Sequence, residues 1–154
     1  MGSAKEAKKS AKRGQKKFEF LDLSTADIAV AVYGKTLSEV FENAALAMFE
    51  VMINTKQVKP AKEKKVKVRA HDLKSLMFNW LNEVLYVSTT SGMLFSKFRV
   101  GIDERTMVLK ATCWGEKLDQ KRHDMRTEVK SCTYHLMDIR KTDNIWRAQV
   151  IFDI

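Results

Sequence analysis

Apolar residues recur at the three- and four-residue spacing of an amphipathic helix in two segments of the chain. Thr36, followed by Glu39 three residues later, predicts a capping box at the start of the first helix, and Asp72 is an N-cap candidate for the second. Each helix therefore presents one apolar stripe that another element must cover. The first stripe is Leu37, Val40, Phe41, Ala44, Ala45, Met48, Phe49 and Met52, and the second is Leu73, Leu76, Met77, Trp80, Leu81, Val84 and Leu85.

Segments with the two-residue period of a strand surround these helices. The apolar stretch 18–32 predicts a strand that is broken or bent about Ser24 and Thr25, and Gly34 ends it. Further strands are predicted over 65–70, 94–102, 106–114, 127–139 and 145–154. This order predicts a single α+β domain in which an antiparallel or mixed sheet packs against two amphipathic helices.

The basic residues are unevenly distributed along the 154-residue chain, whose formal net charge is +9. Residues 1–17 contain seven basic residues and one acidic residue, with few apolar side chains. Such a composition predicts a disordered tail and leaves 18–154 as the folded domain. The tail is either a nucleic-acid handle, a nuclear address or a simple solubility tail.

Several classes of protein are disfavoured. The chain lacks an apolar run of about 18 residues that could span a membrane, so we expect a soluble protein of the cytoplasm or nucleus without a membrane partner. The cysteines, Cys113 and Cys132, and the histidines, His71, His123 and His135, lack the spacing of a zinc site or a disulfide framework. Glycine-rich phosphate loops are also absent from the sequence.

The sequence has two stretches rich in basic residues. Each is either ordinary solvent-exposed surface or a surface that contacts nucleic acid or a protein partner. Neither stretch shows the alternation of aromatic and basic residues that marks a base-stacking platform. The first contains Lys56, Lys59, Lys62, Lys64, Lys65, Lys67 and Arg69, and the second contains Lys121, Arg122, Arg126 and Lys130.

Two acidic residues lie in apolar strand segments, where a charge is costly without a partner. Asp27 stands in the first strand, and Asp153 precedes Ile154 and its terminal carboxylate. If the fold joins them, each like-charge pair at ~4 Å costs about 4 kcal/mol at an effective dielectric of ~20, which a cation would relieve. All-oxygen donors favour calcium, with magnesium or manganese also suitable. The alternative is that Asp27 accepts hydrogen bonds at a strand bend and Asp153 is simply exposed.

An ordered set of short segments resembles the archease family over residues 18–154. The matching segments are Thr25-Ala26-Asp27-Ile28, 34–49 with Phe41-Glu42-Asn43-Ala44-Ala45, Gly115-Glu116, His123, Glu128-Val129-Lys130, Thr133-Tyr134-His135 and Asp153-Ile154. The resemblance implies a small α+β protein that is not an enzyme but activates the RtcB-type RNA ligase of tRNA splicing. It implies promotion of ligase guanylylation and multiple turnover, with tRNA contacted indirectly. It also implies that Asp27, Asp153 and the terminal carboxylate of Ile154 bind a metal ion.

The sequence departs from the family at Ser24, where relatives usually have a histidine before Thr-Ala-Asp. A serine hydroxyl at this position would orient Asp27, and Lys130 in the matched segment is a second candidate supporting residue. Two other functions stay open at this stage. One is a stand-alone RNA-binding or chaperone-like module that uses the positive charge, and the other is a metal-dependent hydrolase that uses Asp27 and Asp153.

Overall fold

Two antiparallel sheets and two helices make up the part of the chain that the computed structural model describes, residues 16–21 and 26–154. The strands are β1 (Phe18–Leu21), β2 (Asp27–Gly34), β3 (Lys62–Arg69), β4 (Met93–Asp103), β5 (Val108–Lys117), β6 (Ser131–Thr142) and β7 (Ile145–Asp153). The helices are α1 (Leu37–Met52) and α2 (Leu73–Ser91), and a one-turn 3-10 helix covers Thr55–Gln57. The predicted tail lies outside the described residues apart from Lys16 and Lys17, and so does Ser24.

Both helices begin where the sequence predicts. The Thr36 hydroxyl accepts a hydrogen bond from the Glu39 backbone N–H (3.1 Å), and the Asp72 carboxylate accepts one from the Ser75 backbone N–H (2.8 Å). These side chains satisfy N–H groups that have no partner within the helix. Gly92, with a φ of 68°, ends α2 in the left-handed conformation that glycine adopts without strain.

The strands form two separate sheets rather than one. The first sheet has the order β1-β2-β7-β6 and the second has the order β3-β5-β4, and every neighbouring pair is antiparallel. The predicted α+β class and single domain are confirmed. Of the two predicted kinds of sheet, antiparallel and mixed, both sheets are antiparallel. In the first sheet β7 is a central strand, so it determines which residues of β2 and β6 come together.

One apolar core joins the helices to both sheets. Each helix contacts strands of both sheets, and nine residues of α1 are buried, which is more than one stripe. Trp80 of α2 is fully buried, and its indole N–H donates to the Phe41 carbonyl of α1 (2.9 Å), which satisfies the polar atom that burial would otherwise penalise. No helix among the described residues is long and apolar enough to cross a membrane.

One strand prediction was confirmed and another was wrong in part. The stretch 18–32 is broken, as predicted, and its described residues form two strands, β1 and β2, that pair antiparallel from Phe18↔Val32 to Leu21↔Ala29. Residues 127–130, predicted as strand, precede β6. There the backbone N–H groups of Arg126 and Thr127 donate to the carbonyls of Met52 and Val51 (2.7 and 3.3 Å). The last carbonyl groups of a helix lack partners within the helix. Those of α1 accept hydrogen bonds from this segment, which therefore does not extend β6 towards its N-terminal side.

Candidate metal centre

The first residue of β2 and the final residue of β7 face each other. Asp27 is the register partner of Asp153, and Ile28 is that of Phe152. Facing residues of an antiparallel pair lie on the same side of the sheet with Cβ atoms about 4.5–5.5 Å apart. Both aspartates are half-buried. The fold therefore brings together the two acids that the sequence analysis singled out.

Residues at the start of β6 complete the surroundings of Asp153. Ser131 is the register partner of Asp153 on the side away from β2, and the Lys130 backbone N–H donates to the Asp153 carbonyl (2.8 Å). Asn82 of α2 holds the next residue, Cys132. Its amide oxygen accepts from the Cys132 N–H (2.9 Å), and its amide NH₂ donates to the Cys132 carbonyl (3.1 Å). Asn82 thus fixes the start of β6 beside Asp153.

The two carboxylates are not neutralised by neighbouring side chains. Within residues 16–21 and 26–154, neither Asp27 nor Asp153 forms an ion pair. Like charges directly opposite each other in a sheet are destabilising. Two facing carboxylates beside a serine hydroxyl are the hard oxygen donors that calcium, magnesium and manganese prefer, so the residues present fit such an ion.

Side chains alone do not complete a ligand set. The described residues contain no group of three or more His, Cys, Asp and Glu side chains suited to a metal ion. The predicted third donor is the terminal carboxylate of Ile154, which is not a side chain and which follows Asp153 directly. The Ile154 side chain is half-buried and packs against the core, so this end of the chain is anchored.

Of the two predicted supporting residues, Ser24 and Lys130, the structure describes only Lys130. Ser24 lies outside the described residues. The side chain of Lys130 is exposed, and its contact with the site runs through its backbone N–H. Ser131 and Asn82 were not predicted from the sequence. Asn82 left a weak signal, because it is a polar residue next to Leu81 in an apolar helix stripe, whereas Ser131 left none.

His123 has a structural role at a separate position. Its side chain is fully buried, and Nδ1 accepts from the Asp119 backbone N–H (2.9 Å), which leaves the ring hydrogen on Nε2 to donate to Glu116 (3.0 Å). Glu116 also accepts from the guanidinium of Arg122 and from the Lys59 backbone N–H. The Arg122 hydrogen bond is the main cause that lowers the pKa of Glu116 to about 2.

Both cysteines are core thiols. Cys113 and Cys132 are free and buried, and burial raises the pKa of each thiol to about 12. The thiolate is the nucleophilic form of cysteine, so neither residue is activated for attack. His135 is exposed, and it stands where β6 loses register with β7, between Thr133 and Asp138.

Sequence and structure comparisons agree on the family. The model of the Archease protein family (MTH1598/TM1083) matches residues 18–154. The protein archease of Sulfurisphaera tokodaii is 44% identical over 138 residues, covering 90% of this chain and 99% of the relative. That of Methanothermobacter thermautotrophicus is 46% identical over 141 residues, covering 90% of this chain and 99% of the relative.

Two solved structures share the fold. The solution structure of Methanobacterium thermoautotrophicum protein 1598 has a TM-score of 0.79 and 45% identity, and the match covers 90% of this chain and 99% of that one. The crystal structure of a Thermotoga maritima archease, described as a possible chaperone, has a TM-score of 0.63 at 21% identity, and the match covers 87% and 95%. The family model over residues 18–154 and the relatives at 44% and 46% identity show that the chain belongs to the archease family.

Proposed function

We propose that this protein is a non-catalytic activator of an RtcB-type tRNA-splicing RNA ligase. The observation that carries the proposal is the facing, half-buried pair of Asp27 and Asp153, which no described basic side chain neutralises. Membership of the archease family supports it, because the matched segments include this pair. In this proposal the protein promotes guanylylation of the ligase and its multiple turnover, and this activation reaches tRNA indirectly, through the ligase.

Asp27 and Asp153 would hold the cation, together with the terminal carboxylate of the chain that ends at Ile154. A bound calcium ion, or magnesium or manganese, would supply the positive charge that offsets these carboxylates. Asn82 and the Lys130 N–H keep β6 and the end of β7 in fixed relation, so the donors stay in place. Ser24 is proposed to orient Asp27 from the neighbouring segment.

The cysteines and His123 do not favour nucleophilic catalysis by this fold. Both thiols are buried with raised pKa values, and both ring nitrogens of His123 are engaged in hydrogen bonds. The facing carboxylates of the first sheet are the groups on which the proposal rests. We propose that they engage the ligase near its nucleotide site, where guanylylation requires a metal ion.

A ligase turnover assay tests this function. Asp153→Asn removes one charge and keeps the size of the side chain. The matched control is Asp143→Asn, which makes the same change at an exposed turn residue whose φ of 51° asparagine tolerates. We expect Asp153→Asn to lower the stimulated turnover rate at least tenfold, while Asp143→Asn stimulates like the wild type.

Full stimulation by Asp153→Asn would contradict the proposal. The hydrolase alternative makes a different prediction, namely metal-dependent phosphoester turnover by the isolated chain. We expect no such turnover when the ligase is absent. A version extended beyond Ile154 converts the terminal carboxylate into an amide, and it should lose stimulation as Asp153→Asn does.

A further inference from the structure

The outer face of the second sheet carries six basic residues, Lys65, Lys67, Arg69, Lys97, Arg99 and Lys110, which we call the basic sheet face. All six side chains are exposed. They belong to all three strands, and the register aligns them in rows, with Lys65 and Arg99 on either side of Thr112 and with Lys67 beside Lys110. The alternate residues of the same strands, such as Val66, point into the core.

Most of the positive charge of the basic sheet face is uncompensated within the described residues, although Arg99 interacts electrostatically with Glu42 of α1. Within residues 16–21 and 26–154, none of its six side chains forms an ion pair. The acids Glu63 and Asp103 stand at its two ends, in the rows of Trp114 and Val108. The Lys65 ammonium donates to the Thr112 hydroxyl (2.8 Å), which is a neutral acceptor that leaves the charge in place.

The second basic stretch of the sequence differs in this respect. Arg122 pairs with Glu116, and Arg126 pairs with Glu50 (2.9 Å). Part of that charge is therefore used within the fold. Because less of its charge is paired within the fold, the basic sheet face should attract a polyanion more strongly than the second basic stretch does.

The shape of the basic sheet face matches one extended nucleic-acid strand. Adjacent strands lie about 4.8 Å apart and alternate residues about 6.8 Å apart, so three strands and four rows span roughly 10 Å by 20 Å. Gly101 leaves open space between the basic side chains, since a Cβ there would meet only the Lys110 carbonyl oxygen at 3.7 Å. In the end row of the face, the Lys97 ammonium lies over the half-exposed ring of Trp114, 5.0 Å from its centroid, so a base stacked on this ring would share it with the ammonium.

We propose that the basic sheet face binds the phosphodiester backbone of single-stranded RNA, over about three or four nucleotides. The repeat of basic residues along β3 and β4 suits phosphates that follow one another along an extended chain. An aromatic ring within the charged rows suits a base better than the carboxylates of an acidic protein surface. This activity is separate from the proposed ligase activation, because the basic sheet face and the aspartate pair lie on different sheets.

Fluorescence anisotropy with a labelled ten-nucleotide oligouridine RNA tests the proposal on the full chain. The face variant is Lys67→Gln, Arg99→Gln and Lys110→Gln combined. The control variant is Lys56→Gln, Lys74→Gln and Lys141→Gln, which removes the same charge from exposed positions on other elements. The basic residues 1–17 are present in both, so any contribution from them cancels.

We expect the face variant to bind RNA at least tenfold more weakly at 0.1 M salt, and the control to change by less than threefold. The slope of log K against log salt should become shallower by about 2 in the face variant, since each lost phosphate contact removes about 0.7. Single Lys67→Gln and Lys110→Gln variants should each weaken binding by a smaller factor, which guards against misfolding of the triple variant.

Three results would overturn the proposal. Equal weakening in both triple variants would show that net charge alone governs binding. Unchanged RNA affinity in the face variant would place RNA elsewhere on the chain. Unchanged RNA affinity together with lost binding to the ligase would identify the basic sheet face as a protein contact.

Discussion

Asp27 lies directly across from Asp153 in the β2–β7 pair, so two like charges share one side of the first sheet. This pairing is opposite to what stability alone favours, because facing like charges weaken a sheet. Carboxylate oxygens are calcium ligands, so a cation bound between these side chains would offset the repulsion. The stability of the protein should therefore depend on the cation concentration.

Asp27→Asn separates the effect of repulsion from that of binding. In a chelator we expect the variant to be as stable as the wild type or more stable, by up to about 1 kcal/mol, because the repulsion is removed. In millimolar calcium we expect the melting temperature of the wild type to rise and that of the variant to stay constant, as measured by calorimetry. Asp143→Asn should show the calcium shift of the wild type. An equal shift in Asp27→Asn would rule out this residue as a ligand.

Asn82→Ala should loosen the start of β6. The substitution leaves the N–H and carbonyl of Cys132 without their side-chain partner, and an unsatisfied buried polar group costs about 1–3 kcal/mol. We expect a loss of stability in this range by urea denaturation, together with a weaker response to calcium. Asn79→Ala, which removes a single exposed hydrogen bond to the Arg69 carbonyl, should cost less and leave the calcium response unchanged. Equal effects of both variants would contradict the role of Asn82.

Gly115→Ala should be strongly destabilising because the backbones of β4 and β5 approach closely there. A Cβ at Gly115 would lie 1.7 Å from the Leu94 carbonyl oxygen, so the two strands would have to separate. Overpacking typically costs about 1–3 kcal/mol or more, and here the obstacle is backbone rather than a flexible side chain. Gly101→Ala on β4 is the control, since its nearest neighbour is 3.7 Å away. Urea denaturation should show little change for the control, and similar losses for both would refute the explanation.

Glu116 makes the stability depend on acid pH. Its pKa is lowered from 4.5 to about 2 in the folded protein, chiefly by the hydrogen bond from Arg122. A lowered pKa means that the stabilisation is complete above pH 4.5 and is lost as the pH falls towards 2. The difference in urea midpoint between wild type and Glu116→Gln should therefore be constant near neutral pH and shrink below about pH 4.5. A pH-independent gap for Glu116→Gln would contradict the assignment.

Local features of the fold could be predicted from the sequence. Thr36 and Asp72 marked the helix starts because capping involves residues within one turn of each other. The spacing of apolar residues located both helices for the same reason. The extent of burial of α1 was less predictable, because it depends on contacts with two sheets that are distant in the chain.

Pairing between distant strands could not be predicted in this way. The alternation of apolar and polar residues predicts which side of its own strand Asp27 or Asp153 occupies. It does not predict that β2 and β7 are neighbours in the sheet, which is what makes the two residues partners. The basic sheet face illustrates the same limit. Lys65 and Lys67 alternate visibly in the sequence, whereas Arg99 and Lys110 join them only through the β3-β5-β4 order.

The central place of β7 also has a consequence for how the protein forms. β2 emerges early during synthesis, yet one of its edges stays unpaired until β7, the seventh strand in chain order, arrives between β2 and β6. Such long-range pairing slows folding, and unpaired apolar strand edges promote aggregation in the meantime. Nascent chains of this protein should therefore be vulnerable until β7 has been synthesised, and should benefit from holding factors at the ribosome.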